Sequence, residues 1–158
     1  MIALINKALS VFGLKELSGS KHNEQIVEFF NVSGHSWVKN DETAWCSAFV
    51  NWVCIESGFE ASKKLNARSW LDVGAEIETP RLGDIVIFWR ESKSSWKGHV
   101  GFFIREEGEN VFVLGGNQSN GVNIKPYSKA RVLGYRRVQI IDKAKGLDST
   151  LDILESIL

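Results

Sequence analysis

Cysteine is scarce in this chain, with two residues among 158, too few for a disulfide scaffold. Cys46 and Cys54 lie in a stretch that reads as one helix. The rise between them is about 12 Å, whereas a disulfide needs its Cα atoms within about 7 Å. Both are read as free thiols, Cys54 as a small buried apolar side chain. Net charge is lacking too. The 19 basic and 19 acidic residues cancel, which removes the electrostatic reason to expect nucleic acid or an anionic membrane as a partner. No stretch approaches the roughly 20 apolar residues of a membrane span, so no stable membrane insertion is expected. The apolar first ten residues are interrupted by Asn6 and Lys7 and lack a small-residue cleavage site, so no signal peptide is expected. Histidines number three, with no second one near His99 and no paired cysteine motif. A zinc site, which takes three or four ligands, is therefore not expected. Nor is a calcium loop of alternating Asp, and no cofactor is assigned.

What is present is apolar material: 44% hydrophobic residues and six Trp, enough for one core in a single domain spanning residues 1–158. Ile2, Ile5, Leu9 and Phe12 predict a first amphipathic helix over 2–12. Ile26, Val27, Phe29 and Phe30 predict a second over 23–31. The clearest helix runs from about 44 to 57, with Ala48, Phe49, Trp52 and Val53 on one face. Thr43 or Asp41 is expected to cap its start, and Gly58 follows its end. Another short helix is expected over 67–74.

After Pro80 the pattern changes to runs rich in Val, Ile and Phe at 84–89, 99–105, 110–114 and 132–138, punctuated by Gly and Asn. Helices first and strands second predict an α+β fold, with the helices packed on a small antiparallel sheet curled into a partial barrel. The core is expected over about 22–138. Leu151, Leu154 and Leu158 predict a C-terminal helix over about 148–158.

Three residues stand where chemistry could use them. Cys46 falls in the first turn of a helix, where free N–H groups and the helix dipole favour a thiolate. His99 opens a strand between Gly98 and Gly101, which sets the imidazole at a sheet rim. Asn117 follows a strand end and lies on the neighbouring strand if the two form a hairpin. A side-chain carbonyl there could hold one ring nitrogen of His99 and fix its tautomer. A helix cysteine before a strand histidine is the papain-like order.

Asp41-Glu42-Thr43-Ala44-Trp45-Cys46-Ser47-Ala48-Phe49-Val50-Asn51-Trp52 resembles the nucleophile helix of NlpC and CHAP type peptidoglycan hydrolases. So do Ala67-Arg68-Ser69-Trp70-Leu71, Leu82-Gly83-Asp84-Ile85-Val86, Gly98-His99-Val100-Gly101-Phe102 and Gly115-Gly116-Asn117-Gln118, in the expected order. The resemblance implies that Cys46 attacks a carbonyl of a peptide stem, that His99 activates it and protonates the leaving amine, and that Asn117 orients His99. It makes Trp45, Ser69, Trp70 and Gln118 candidate substrate contacts, with core packing the equal alternative for the two Trp. Asp41 and Glu42 occupy positions that usually supply an oxyanion donor, which an ionised carboxylate cannot do. One of them is expected to cap the helix or to contact amine groups of the stem. Asp84 is expected to form a turn.

The expected function is hydrolysis of an amide bond in the peptide part of peptidoglycan, by an endolysin-like monomer. Such a protein would be made in the cytoplasm and act at the wall or in the periplasm after release. An acyltransferase or toxin on the same scaffold would use Cys46 in the same way. A non-catalytic wall-binding or virion module would not need the set of Cys46, His99 and Asn117.

Overall fold

The computed structural model describes residues 1–17, 22–39, 44–142, 154 and 157. Its helical part opens with α1 (Ile2–Leu9) and α2 (Glu24–Val32). Asn23 starts α2, its side-chain oxygen accepting from the N–H groups of Gln25 and Ile26 at 3.0 and 3.4 Å. The third helix, α3, runs over Cys46–Glu56.

The expected apolar face of α3 turns out to be the whole helix. Every residue from Cys46 to Cys54 is buried, because α2 packs on one side and the sheet on another. Full burial of a side chain such as Phe49 or Val53 contributes about 2 kcal/mol. The polar residues caught in this helix find internal partners, as buried polar groups must. Ser47 Oγ donates to the Lys64 carbonyl at 2.6 Å and accepts from Trp70 Nε1 at 2.9 Å. Asn51 Nδ2 donates to the same carbonyl at 3.1 Å, and its Oδ1 accepts from the Lys63 N–H at 2.8 Å. These bonds strap residues 63–64 across α3 and bring Leu65–Ala67 to its N-terminal end. Residues 67–72 follow as a short 3-10 helix, where the sequence predicts a helix.

Six strands make one antiparallel sheet: β1 (Ala75–Ile77), β2 (Ile85–Trp89), β3 (Gly98–Glu107), β4 (Asn110–Gln118), β5 (Gly121–Ser128) and β6 (Val132–Arg137). Their spatial order is β1-β6-β2-β3-β4-β5. Alternation along central strands splits them between two cores. Ile85, Ile87, Val100, Phe102 and Leu114 join the helices in the larger core. Val86, Phe88, Phe103, Val111 and Val113 form a second cluster with Tyr127, Val132 and Tyr135, the inside of the curl. The observed arrangement is the expected α+β fold.

Two strands escape the sequence pattern. β1 is three residues long, too short for a periodicity. β5 contains Pro126, which argues against a central strand; it sits at the sheet's edge, where a missing N–H costs no ladder bond. Asp84, expected in a turn, accepts from the Arg81 N–H at 2.7 Å. It is fully buried and pairs with Arg137 through two bonds of 2.9 and 2.8 Å. The expected C-terminal helix falls largely outside the described residues; Leu154 and Ile157 are helical and exposed. Among the described residues no helix is long and apolar enough to cross a membrane.

Candidate active site

The N-cap residue of α3 is Trp45, and among the described residues no side chain caps the first turn. The expected caps Thr43 and Asp41 lie outside the described residues, as does Glu42. The backbone N–H groups of Val100, Ser47 and Cys46 itself bear on the sulfur, each favouring the thiolate. Val100 follows His99, so the sulfur lies beside the start of β3.

Cys46 lines one lobe of a cleft, of about 230 Å3, with Leu65, Asn66, Ala67 and Trp96. His99 lines the other, of about 390 Å3, with Gln118 and Tyr127. Arg90 borders both.

The orienting residue for His99 is Gln118, not Asn117. His99 Nε2 lies 2.9 Å from Gln118 Oε1. The amide's direction is fixed from its other end, where Gln118 Nε2 faces the carbonyls of Val113 at 3.2 Å and Asn123 at 2.8 Å and Asn123 Oδ1 at 3.0 Å. Three acceptors demand the NH2 group there, so Oε1 faces the imidazole and His99 Nε2 must carry the proton. Nδ1 is left with its lone pair. The reason Asn117 misses this place is a bulge: the β4–β5 register breaks between Gly115 and Gln118, and Asn117 takes a left-handed φ of 57°. Asn117 instead lines the cleft. Gln118, expected to contact substrate, is 1% exposed and is spent on His99.

Two glycines make this packing possible. A Cβ on Gly115 would collide with Gln118 Oε1. One on Gly116 would come within 2.6 Å of the Trp45 ring and 2.7 Å of Phe49 Cβ. The backbone of β4 therefore touches the start of α3 only because Gly116 carries no side chain.

The expected groove residues Trp45, Ser69 and Trp70 belong to the core. Trp45 and Trp70 are completely buried. Trp45 packs against Phe29 at 6.0 Å and donates its indole N–H to Glu16 at 2.6 Å. Ser69 Oγ donates to the Asn66 carbonyl at 2.7 Å. The tryptophan that does border the cleft is Trp96, 74% exposed on the β2–β3 loop. Arg68 holds that loop by donating to the carbonyls of Lys97, Lys93 and Ser92 at 2.9, 2.6 and 2.9 Å.

Burial sets the protonation states. His99 stacks on Tyr127 at 4.9 Å and lies near Phe88 at 6.3 Å. Desolvation pulls its pKa down to about 4, opposed by the Gln118 hydrogen bond and helped by the charge of Arg90. Desolvation also pushes the Cys46 thiol up, outweighing the N–H donors and Arg90. The helix start alone suggests a thiolate; the burial of the sulfur makes the resting pair a neutral thiol and a neutral imidazole. Cys54 is fully buried, and its thiol is likewise pushed up by desolvation. Sequence reasoning missed Tyr127 and Arg90, which reach the cleft from β5 and from the end of β2.

A helix start holding a cysteine against the first residues of a histidine-bearing antiparallel strand defines a papain-like domain. The CHAP domain model matches residues 37–117, just over half of the chain, and the chain belongs to that family of peptidoglycan-directed cysteine amidases and peptidases. A solved structure described as similar to lipoprotein, NLP/P60 family, from Staphylococcus aureus subsp. aureus Mu50, is 18% identical with a TM-score of 0.48. The match covers 85% of this chain and 40% of that one, so the chain spans about two-fifths of that protein. No curated protein sequence matches the chain.

Proposed function

We propose that this chain hydrolyses an amide bond in the peptide moiety of peptidoglycan, with Cys46 as nucleophile and His99 as general base. The observation that carries this reading is the locked tautomer of His99. With Nε2–H held by Gln118, Nδ1 is the one ring nitrogen able to accept a proton.

The chemistry starts from the neutral pair. As the sulfur of Cys46 attacks the carbonyl carbon, its proton passes to His99 Nδ1, and the imidazolium is held by the Gln118 oxygen. Negative charge develops on the carbonyl oxygen, where N–H groups at the α3 start stabilise it. The imidazolium then protonates the departing amine, the C–N bond breaks and a thioester remains. Water, deprotonated by Nδ1, attacks the thioester and releases the acid and the Cys46 thiol. Bringing the proton acceptor to the reacting sulfur is worth about 10²–10⁴ in rate.

The test is release of soluble fragments from purified peptidoglycan by the wild type and by Cys46→Ala, with mass spectrometry of the products. Fragments from the wild type alone support the reading, and their masses name the bond. No release by either protein removes the peptidoglycan assignment, and equal release by both removes Cys46 as nucleophile.

A further inference from the structure

Most of the cationic side chains around the sheet are spent on the fold. Arg68, Arg136 and Arg137 donate to carbonyls or to Asp84. Lys97 pairs with Glu91, and Lys129 with Glu106. Two arginines at the cleft are not spent in this way. Arg90 borders both lobes, and Arg131 borders the His99 lobe. Among the described residues neither guanidinium has a hydrogen-bonding or carboxylate partner. Arg131 lies over the ring of Trp89, 4.9 Å from its centre. That stacking fixes the plane of the guanidinium and leaves its N–H edge unused.

The surroundings have one sign. No described residue lining either lobe is acidic, although acidic and basic residues balance over the chain. Asn117, freed from His99 by the bulge, lines the same lobe with Asn120 and adds amide donors. Planar guanidinium groups with free edges, beside neutral donors and with no competing carboxylate among the described residues, match a planar anion: a carboxylate held by paired N–H bonds.

We infer that Arg90 and Arg131 form a carboxylate clamp, which selects stem peptides carrying a free carboxylate close to the scissile amide over the same peptides amidated at that position. This rests on the hydrolase reading of the same cleft. The clamp also touches the chemistry. The charge of Arg90 lowers the proton affinity of both His99 and Cys46. A carboxylate docked on Arg90 offsets that charge, so His99 becomes a stronger base in the complex than in the free protein.

The experiment uses the full chain and two synthetic stem peptides of one sequence, one with the free carboxylate and one with the carboxamide. Cleavage is measured for the wild type, Arg90→Gln and Arg131→Gln, and equilibrium binding is measured by calorimetry on Cys46→Ala. Charge-assisted bonds of this kind are worth roughly 10- to 100-fold. The carboxylate peptide is expected to be preferred by about that factor in kcat/KM and in binding, and each arginine variant to bring the preference below about threefold. With the carboxylate peptide the acid limb of kcat should lie at higher pH than that of kcat/KM, and with the amidated peptide the two should coincide. Equal binding of both peptides, binding of neither, or an undiminished preference in both variants overturns the clamp. Selective binding by Cys46→Ala without cleavage by the wild type leaves the clamp standing and removes the hydrolase reading. Cleavage of both peptides with equal kcat/KM does the reverse.

Discussion

The imidazole of histidine offers two nitrogens that differ little in basicity, and a protein has to choose between them. Here the choice is made by an amide whose own direction is set by carbonyls of β4 and β5. Gln118→Leu keeps the bulk and removes the acceptor, so His99 can hold its proton on either nitrogen. The expected result is a loss of about 10- to 100-fold in kcat with little change in KM, read by steady-state kinetics on wall fragments. The pH profile is a second check. An ordinary histidine titrates near 6.5, but His99 is drawn down to about 4 by burial. The acid limb of kcat/KM should therefore fall near pH 4, with activity nearly level from pH 7 to 5. A limb near 6.5 would mean that His99 is not the base. The places of Cys46 and His99 were legible in the sequence because a helix start and a strand start follow from local patterns. The choice of Gln118 over Asn117 was not, because alternation cannot count the extra residues of a bulge.

At the scale of elements, the site depends on how closely β4 approaches α3. Gly116→Ala would push a methyl group into the Trp45 ring and Phe49, moving the helix start that carries Cys46. Overpacking of this kind costs about 1–3 kcal/mol, so thermal denaturation should show a lower Tm, and thiol-dependent activity should fall with it. The helices were readable from apolar spacing, and four strands from runs of Val, Ile and Phe. What the pattern could not say is that α3 is enclosed on all sides. Amphipathic spacing marks one buried face, and the second cover comes from α2 and the 63–64 strap, which are tertiary facts. Trp45 and Trp70, for which the sequence left groove and core both open, went into the core for the same reason.

For the whole molecule, the buried imidazole links acidity to folding. The folded-state pKa of His99 lies below that of the unfolded chain. Between about pH 6.5 and pH 4 the unfolded state therefore binds more protons than the native one. Stability falls as the pH drops through that window, by up to about 3 kcal/mol, and this contribution levels off below it. Urea denaturation midpoints at pH 7 and pH 4.5 measure the loss, and His99→Asn should flatten the slope over the same window. The stacking of His99 on Tyr127 and beside Phe88 explains why a catalytic candidate is this deeply buried.

The two cysteines share one helix but not one surface. Cys46 opens on a cleft, while Cys54 is fully enclosed. The chain therefore carries its own gauge of foldedness: a small thiol reagent should consume one equivalent from the native protein at mildly alkaline pH and two once it is denatured. Because burial keeps the first thiol protonated, its labelling rate should go on climbing past pH 9 instead of reaching a plateau near neutrality. Counting equivalents against denaturant would then follow the unfolding of α3 without any attached probe.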